Sequence, residues 1–444
     1  MSSRPQLRRY LGLPSLVIFG LAYMTPMIVY GTFGILSRTT HAAVPSAYLI
    51  ALFAMLLTAI SYGKMARRYP VSGSAYSYSV RAFGPVLGFF VGWTVLLDYL
   101  FLPMVIWLIG AAYLSDAFPH LPAWSFLLFF IISTTVVNII GLRVASRINL
   151  VILALQLLVM LAFSLLLAMY CVRSGSGTVD LLKPLTGFDF SGAALVAGAA
   201  IASYSFLGFD AVSTLSEEAK DPKRTIPKAI LWVTLIGGAI FVVTSYLAQL
   251  SFPNLDFANI DAASSEMALK VGGPGFLTIF LAILIFAQLA SGIAAQASGS
   301  RLIFVMARDG ALPALFSRLH RRHSTPAVAI VTTGLIGLIA IGLDVTTSTS
   351  FINFGAMLAF LAVNLAAVKQ HAADTRGGHG RTKITGLLLP MLGGAANVFL
   401  LANLNKAAII LGLVWLAVGL TYLAFLTGFF TRPVPIILST PDEA

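Results

Sequence analysis

Two carboxylates stand inside otherwise apolar runs of this 444-residue chain: Asp98 in "LLDYLFLP" and Asp210 in "IASYSFLGFDAV". The remaining 14 of its 16 Asp and Glu residues fall in predicted loops or at the ends of apolar runs. A charge at the centre of a bilayer costs about 2.5–3.5 kcal/mol on insertion scales, so such a group needs a cation or a proton to meet. No Lys or Arg lies deep in any run to supply one. The chemistry that suits these residues is recognition of a cation from outside the chain, or relay of a proton. The alternative is that both acids are protonated and hydrogen-bonded to nearby tyrosines such as Tyr99 or Tyr204. Asp210 follows Gly208, and glycine weakens a helix, so freed backbone carbonyls add to the negative spot there.

Aromatic residues surround the two acids in sequence: Tyr23, Tyr30, Trp93, Tyr99, Tyr204 and Phe209. Membrane aromatics commonly serve packing or interfacial anchoring, yet an aromatic face also attracts an ammonium group by about 0.5–2 kcal/mol. Tyr204, six residues before Asp210, is the favoured partner. Glu218 stands at the end of the same run, near Lys220. It is either a solvated end residue or a candidate for gating or proton coupling.

The elements that must position these groups are membrane helices. The chain is 58% hydrophobic and only 10% charged, with a mean hydropathy of +0.92; soluble domains carry about 25% charged residues. Apolar runs recur near 14–37, 43–66, 84–116, 122–141, 148–171, 192–216, 229–252, 274–305, 326–343, 347–368, 384–404 and 407–429. Each is long enough to cross a hydrocarbon core of about 30 Å. The expected fold is an all-α polytopic membrane protein of 12 transmembrane helices. Placing the N-terminus in the cytoplasm puts 23 of the 28 basic residues inside, leaving Arg38, Arg173, Lys183, Lys270 and Lys406 outside. That bias follows the positive-inside rule and places both termini in the cytoplasm. The net charge of +12 is therefore read as topology, and no nucleic-acid partner is expected.

Several function classes drop out. The lone Cys171 excludes an internal disulfide framework, and the six histidines all fall in predicted loops without ligand spacing, so neither a metal nor a cofactor is expected. No Walker-type phosphate loop is present, so transport would have to run on a gradient. A membrane enzyme lacks a nucleophile–base or metal arrangement in the runs.

Internal symmetry sharpens the expectation. The first run is interrupted by Met24-Thr25-Pro26, and the sixth by Gly208 and Asp210. Each interruption opens a block of five runs, 14–171 and 192–368. Five is odd, so the second block must sit inverted relative to the first, and paired interrupted helices in inverted repeats mark a midplane transport site. The expected organisation is a cytoplasmic tail (1–13), two inverted five-helix repeats (14–171 and 192–368), two peripheral helices (384–429) and a cytoplasmic tail (430–444).

Three blocks resemble the amino acid–polyamine–organocation transporters: "YPVSGSAYSYSVRAFGPVLGFFVGW", "FLGFDAVSTLSEEAKDPKRTIPKAI" and "LASGIAAQASGSRLIFVMARDGALP". Others, including "GLAYMTPM", "TAISYGK", "LLDYLFLP" and "INFGAMLAF", resemble the bacterial putrescine importers within that family. The resemblance implies ten core helices in a 5+5 inverted repeat with broken first and sixth helices, plus two peripheral ones. It implies substrate held between the first, third, sixth, eighth and tenth helices. Tyr204 falls where relatives have a gating aromatic, and Asp210 where polyamine and arginine carriers have an acid.

One departure from the family pattern is informative. Amino-acid carriers of this family break the first helix with a glycine-rich motif whose N–H groups receive the substrate carboxylate. Here Met24-Thr25-Pro26-Met27 stands instead, and Pro26 has no N–H to donate. Weakened carboxylate recognition and two buried acids suit a ligand with amines at both ends, such as putrescine, whose nitrogens lie about 6 Å apart. Some proton-coupled relatives carry a lysine midway along the fifth helix; Gln156 takes that place here. Asp98, Asp210 and Glu218 are then the proton-carrier candidates.

The expected function is import of a small diamine, putrescine foremost, coupled to protons across a bacterial inner membrane. The expected substrate contacts are Asp210, Asp98, Tyr204, Tyr23, Thr25, Gly208, Phe209 and Tyr99. The rivals are a cationic amino-acid carrier or an amine/amino-acid exchanger on the same fold, and a channel or receptor that binds amines without moving them uphill.

Overall fold

The computed structural model describes residues 11–71, 74–140, 145–173, 180–189, 191–216, 218–253, 257–320, 323, 325–376 and 384–434. The outer parts of both expected tails lie outside the described residues, as do Arg143, Arg321, Arg322, Arg381 and Lys383.

Among the described residues the chain is helical, and its one β-type contact is an isolated bridge between Leu11 and Ala219. The first run forms α1 (Leu13–Met24), α2 (Ile28–Gly31) and α3 (Phe33–Thr39), followed by α4 (Val44–Arg68), α5 (Ser74–Phe83) and α6 (Pro85–Ala117). Next come α7 (Ala123–Ile140), α8 (Ala145–Arg173), the short α9 (Lys183–Thr186), α10 (Gly192–Ala202) and α11 (Pro222–Ser251). The remainder is α12 (Ala263–Arg308), α13 (Ala327–Ile336), α14 (Val345–Arg376), α15 (Ile384–Ala402) and α16 (Lys406–Leu426). Helices α1, α4, α6 and α11 carry proline in their first turn, where the missing N–H satisfies no bond anyway.

Ten helices among the described residues are long and apolar enough to cross a membrane, and Ala327–Gly342 and Gly386–Ala402 are apolar but shorter. Three boundaries differ from the sequence expectation, one of them at α14, which runs on to Arg376 rather than ending near 368. Helix α11 begins at Pro222 rather than near 229, because the basic stretch with Lys223, Arg224 and Lys228 continues the helix beyond its apolar part. Helix α12 runs back to Ala263 across a kink at Gly273 (φ 71°), with Pro274 restarting the helix where the apolar run begins.

Both expected interruptions are present. Helix α1 stops at Met24, Thr25 takes a left-handed conformation (φ 50°), and Pro26 and Met27 precede the restart at Ile28. The sixth run ends its α-helix at Ala202 and turns through a 3₁₀ segment, Ser203–Phe206. Leu207 is then extended (ψ 127°) and Gly208 sits at φ +120°. Beyond the break the chain stays in 3₁₀ form over Asp210–Leu215 instead of returning to α-helix. The local cause is a row of hydroxyls bonding three residues back: Ser213 to Asp210 O (2.7 Å), Thr214 to Ala211 O (2.6 Å) and Ser216 to Ser213 O (2.6 Å).

Packing separates two groups of helices. Helices α1, α4, α10 and α11 pack among themselves, while α6, α7, α8, α12 and α13 form a second group; α14 touches both through α4 and α6, α8 also packs on α11 and α1, and α1 on α12. Helix α6, which carries Asp98 and Tyr99, is the central one: 89% of its apolar window is buried, against 17% for α16. Trp93 and Trp415 fasten α16 to it, stacked at 4.9 Å, each indole N–H donating to the other's carbonyl at 2.8 and 2.9 Å.

Candidate functional site

The two helix breaks meet. A Cβ on Gly208 would lie 2.4 Å from Cδ1 of Tyr23, so only glycine lets the sixth-run break lie flat against the end of α1. Its φ of +120° requires glycine independently. Around this contact the structure brings Asp98 and Tyr99 on α6 together with Asp210 just beyond the break; all three are about 96% buried.

Asp210 is held at both oxygens. The Tyr99 hydroxyl donates to Oδ2 at 3.2 Å, and the Gly208 N–H donates to Oδ1 at 3.3 Å. The Tyr99 bond links α6 to the broken sixth run, and so joins the two packing groups. Asp98 is different: its Oδ1 is buried with no hydrogen-bond partner among the described residues. Among the described residues no ion pair reaches either acid; the pairs there, Arg68–Asp374, Arg224–Asp221 and Arg308–Asp309, lie at helix ends. The C-terminal end of α1 adds the partial negative charge of its last carbonyls. A buried, hydrogen-bonded carboxylate beside a second one with an unused acceptor is a region that stabilises a cation.

A narrow cavity, with room for about one water molecule, lies between the first break, the sixth run, α6 and α12. Tyr23, Met24, Thr25 and Ile28 line it from the first break, with Tyr204 and Leu207 from the sixth run. Leu102 and Ile106 line it from α6, and Gln288 and Ser291 from α12. Of the residues singled out from sequence, Tyr23, Thr25 and Tyr204 thus line this cavity and Gly208 abuts Tyr23 and Met24 of its wall, while Asp98, Tyr99 and Asp210 are not among its lining residues. The Thr25 hydroxyl is engaged in capping α1, donating to Ala22 O at 3.3 Å, and the Ser291 hydroxyl donates to Tyr23 O at 3.4 Å.

Two sequence candidates lie elsewhere. Phe209 is fully buried but turned from the cavity, packed against Tyr62 (5.7 Å) and Phe360 (5.1 Å). Glu218 is half-buried beyond the Asp210–Leu215 segment, where its carbonyl accepts the Leu11 N–H at 3.0 Å and the Lys220 N–H bonds back to Leu11 O. Sequence reasoning missed Gln288 and Ser291. Their signal was modest: two polar residues three apart in the apolar stretch "LAILIFAQLASG".

Membrane-length helices around two buried acids that have no ion-pair partner among the described residues, at the meeting point of two helix breaks, define the class as a polytopic membrane transport protein. The profile of the amino acid permease family matches residues 11–435. The low-affinity putrescine importer PlaP of Escherichia coli (strain K12) is 42% identical over 98% of this chain and 97% of its own length. The branched-chain amino acid permease BcaP of Bacillus subtilis is 26% identical over 94% of this chain and 93% of its own. The cationic amino acid transporter 4 of Mus musculus is 29% identical over 82% of this chain and 60% of its own. This chain belongs to the amino acid permease family, and its relatives are transporters, not enzymes.

Proposed function

We propose that this protein is a secondary carrier that imports a small diamine, putrescine foremost, coupled to protons across a bacterial inner membrane. The observation that carries this reading is the pair of buried acids, Asp98 and Asp210, with no ion-pair partner among the described residues and an unused acceptor on Asp98. The identity to a putrescine importer over nearly the whole chain supports the same substrate. Asp210 binds one ammonium group, and Asp98 binds the other or relays the proton. Tyr204 closes over the ligand from outside, and Glu218 is a gate or coupling candidate.

The architecture that goes with this function has 12 spans, with Ala327–Gly342 and Gly386–Ala402 crossing as well, and both termini in the cytoplasm. Residues 14–171 and 192–368 form inverted five-helix repeats, and 384–429 two peripheral helices. Alternating access proceeds by rocking of the broken-helix bundle against the scaffold helices, with the contacts of α8 on α11 and α1 and of α1 on α12 as the surfaces that would slide. The cavity is too narrow for a diamine as it stands, so loading requires that rocking.

The test is uptake of labelled putrescine by purified protein in liposomes with an acidic exterior. Accumulation is expected, and Asp210→Asn should weaken diamine binding by about 2 kcal/mol or more, at least 30-fold, through loss of one buried charge partner. Uptake of an amino acid in place of putrescine would overturn the substrate assignment. A cationic amino-acid carrier is the second reading, favoured by the likeness to cationic amino acid transporter 4. Inhibition by lysine or arginine at concentrations matching putrescine would select it.

A further inference from the structure

The face of α6 that lines the cavity continues past it. Leu102 and Ile106 belong to the cavity wall, and Ile109 and Tyr113 follow at the three- and four-residue steps that keep side chains on one helix face. Ile109 abuts the first run: a Cβ added to Gly31 would lie 3.2 Å from its Cγ2. One turn further, about 6 Å along α6, the Tyr113 hydroxyl lies 2.8 Å from the Tyr30 carbonyl. The Ser264 hydroxyl, from the first turn of α12, lies 3.1 Å from the same carbonyl and 2.6 Å from the Tyr113 oxygen. All three residues are buried.

Two hydroxyls carry two protons, so two of these three contacts are hydrogen bonds at any moment. Whichever way the hydroxyls turn, at least one of them donates to the Tyr30 carbonyl. That carbonyl stands beside Thr32 (φ −116°), which interrupts the helix between α2 and α3. The Tyr30 ring packs on Phe163 of α8 (4.9 Å) and Phe280 of α12 (5.8 Å). The same segment is also tied to the broken sixth run, because Thr32 Oγ1 lies 3.3 Å from the Tyr48 hydroxyl, itself 3.0 Å from the Ser205 hydroxyl. It therefore moves with the broken helices only when the bonds to Tyr30 let go. On the proposed topology this joint lies on the outer side of the cavity.

We infer that Tyr113 and Ser264 form an outer latch of the transport cycle. Their hydroxyls hold the Tyr30 carbonyl while the outer route to the cavity is closed, and release it when that route opens. The latch rests on the carrier reading above and not on which amine is carried. One net hydrogen bond shifts an equilibrium by about fivefold, enough to favour the closed arrangement and little enough to break at every turnover.

The experiment reads access to Ile109, the buried residue one turn beneath the latch. In a Cys171→Ser background, Ile109→Cys is labelled in liposomes by a cationic thiol reagent that does not cross the bilayer. Tyr113→Phe and Ser264→Ala each leave one hydroxyl on the carbonyl, and each should speed labelling by no more than about twofold. Together they leave it neither, and should speed labelling by about tenfold. Ala329→Cys, in place of Ile109→Cys, puts the thiol in a buried position on α13 and should stay unlabelled in the double variant. An unchanged labelling rate at position 109 in the double variant would overturn the latch. So would an equal rise at position 329, which would mean general loosening. Labelling needs no substrate: if the unmodified protein failed to accumulate putrescine, the diamine reading would fall while the labelling result still decided the latch.

Discussion

Replacing Gly208 by alanine tests whether the contact between the two helix breaks builds the site. Two independent costs arise. At φ +120° an L-residue occupies backbone space that is almost reserved for glycine, worth about 1–3 kcal/mol. The added Cβ would also meet Tyr23 Cδ1 at 2.4 Å, where ordinary contact begins at 3.4 Å, so the ring has to retreat by about 1 Å. Overpacking a buried site of this kind costs about 1–3 kcal/mol. The sum, about 2–6 kcal/mol, exceeds what most single substitutions do. Gly273→Ala separates the two parts, since Gly273 also has positive φ (71°) but nothing within 4 Å of its would-be Cβ. Thermal unfolding in detergent should show Gly208→Ala clearly less stable than Gly273→Ala. In liposomes Gly208→Ala should lose at least tenfold in putrescine uptake, because Tyr23 forms part of a cavity with little spare room. If Gly208→Ala matched Gly273→Ala in stability and the unmodified protein in uptake, the breaks would not be fixed by this contact.

Two further outcomes follow from the same geometry. Tyr99→Phe removes the hydroxyl that donates to Asp210, worth about 1 kcal/mol for a long 3.2 Å bond, and should raise the diamine Kd roughly fivefold by calorimetry; tighter binding would mean that Tyr99 competes with the ligand for Oδ2. Gly299→Ala puts a Cβ 2.3 Å from Tyr99 O, a backbone atom that must shift with its helix, so it should cost about 1–3 kcal/mol and impair uptake. Gly275→Ala, with nothing within 4 Å, should leave both stability and uptake unchanged.

The strongest periodic and chemical signals in the sequence correspond to the structure: long apolar runs became helices, and the interruptions at Met24-Thr25-Pro26 and Gly208 became breaks. These are local properties, set by backbone preference and by run length. What stayed illegible depends on neighbours distant in sequence. The 3₁₀ form of Asp210–Leu215 follows from hydroxyl back-bonding that a run of Ser and Thr only hints at. Phe209 read as a cavity residue because it adjoins Asp210, but the unusual φ of Gly208 rotates the chain and sends its ring toward Tyr62 and Phe360. Gln288 was overlooked because an amide in an apolar helix is unremarkable until its partners can be counted.

That last point bears on how the site discriminates. A carboxylate in a membrane announces itself by cost, so Asp98 and Asp210 stand out in sequence; a neutral acceptor does not, since its desolvation penalty is far smaller. On the proposed reading charge selects the class of ligand, because two buried acids with no ion-pair partner among the described residues favour an amine. The class of cargo on that reading is therefore written in a few residue types, whereas the close approach of α12 to α6 depends on Gly299 against Tyr99 O and Gly292 against Trp107, contacts that no local pattern announces.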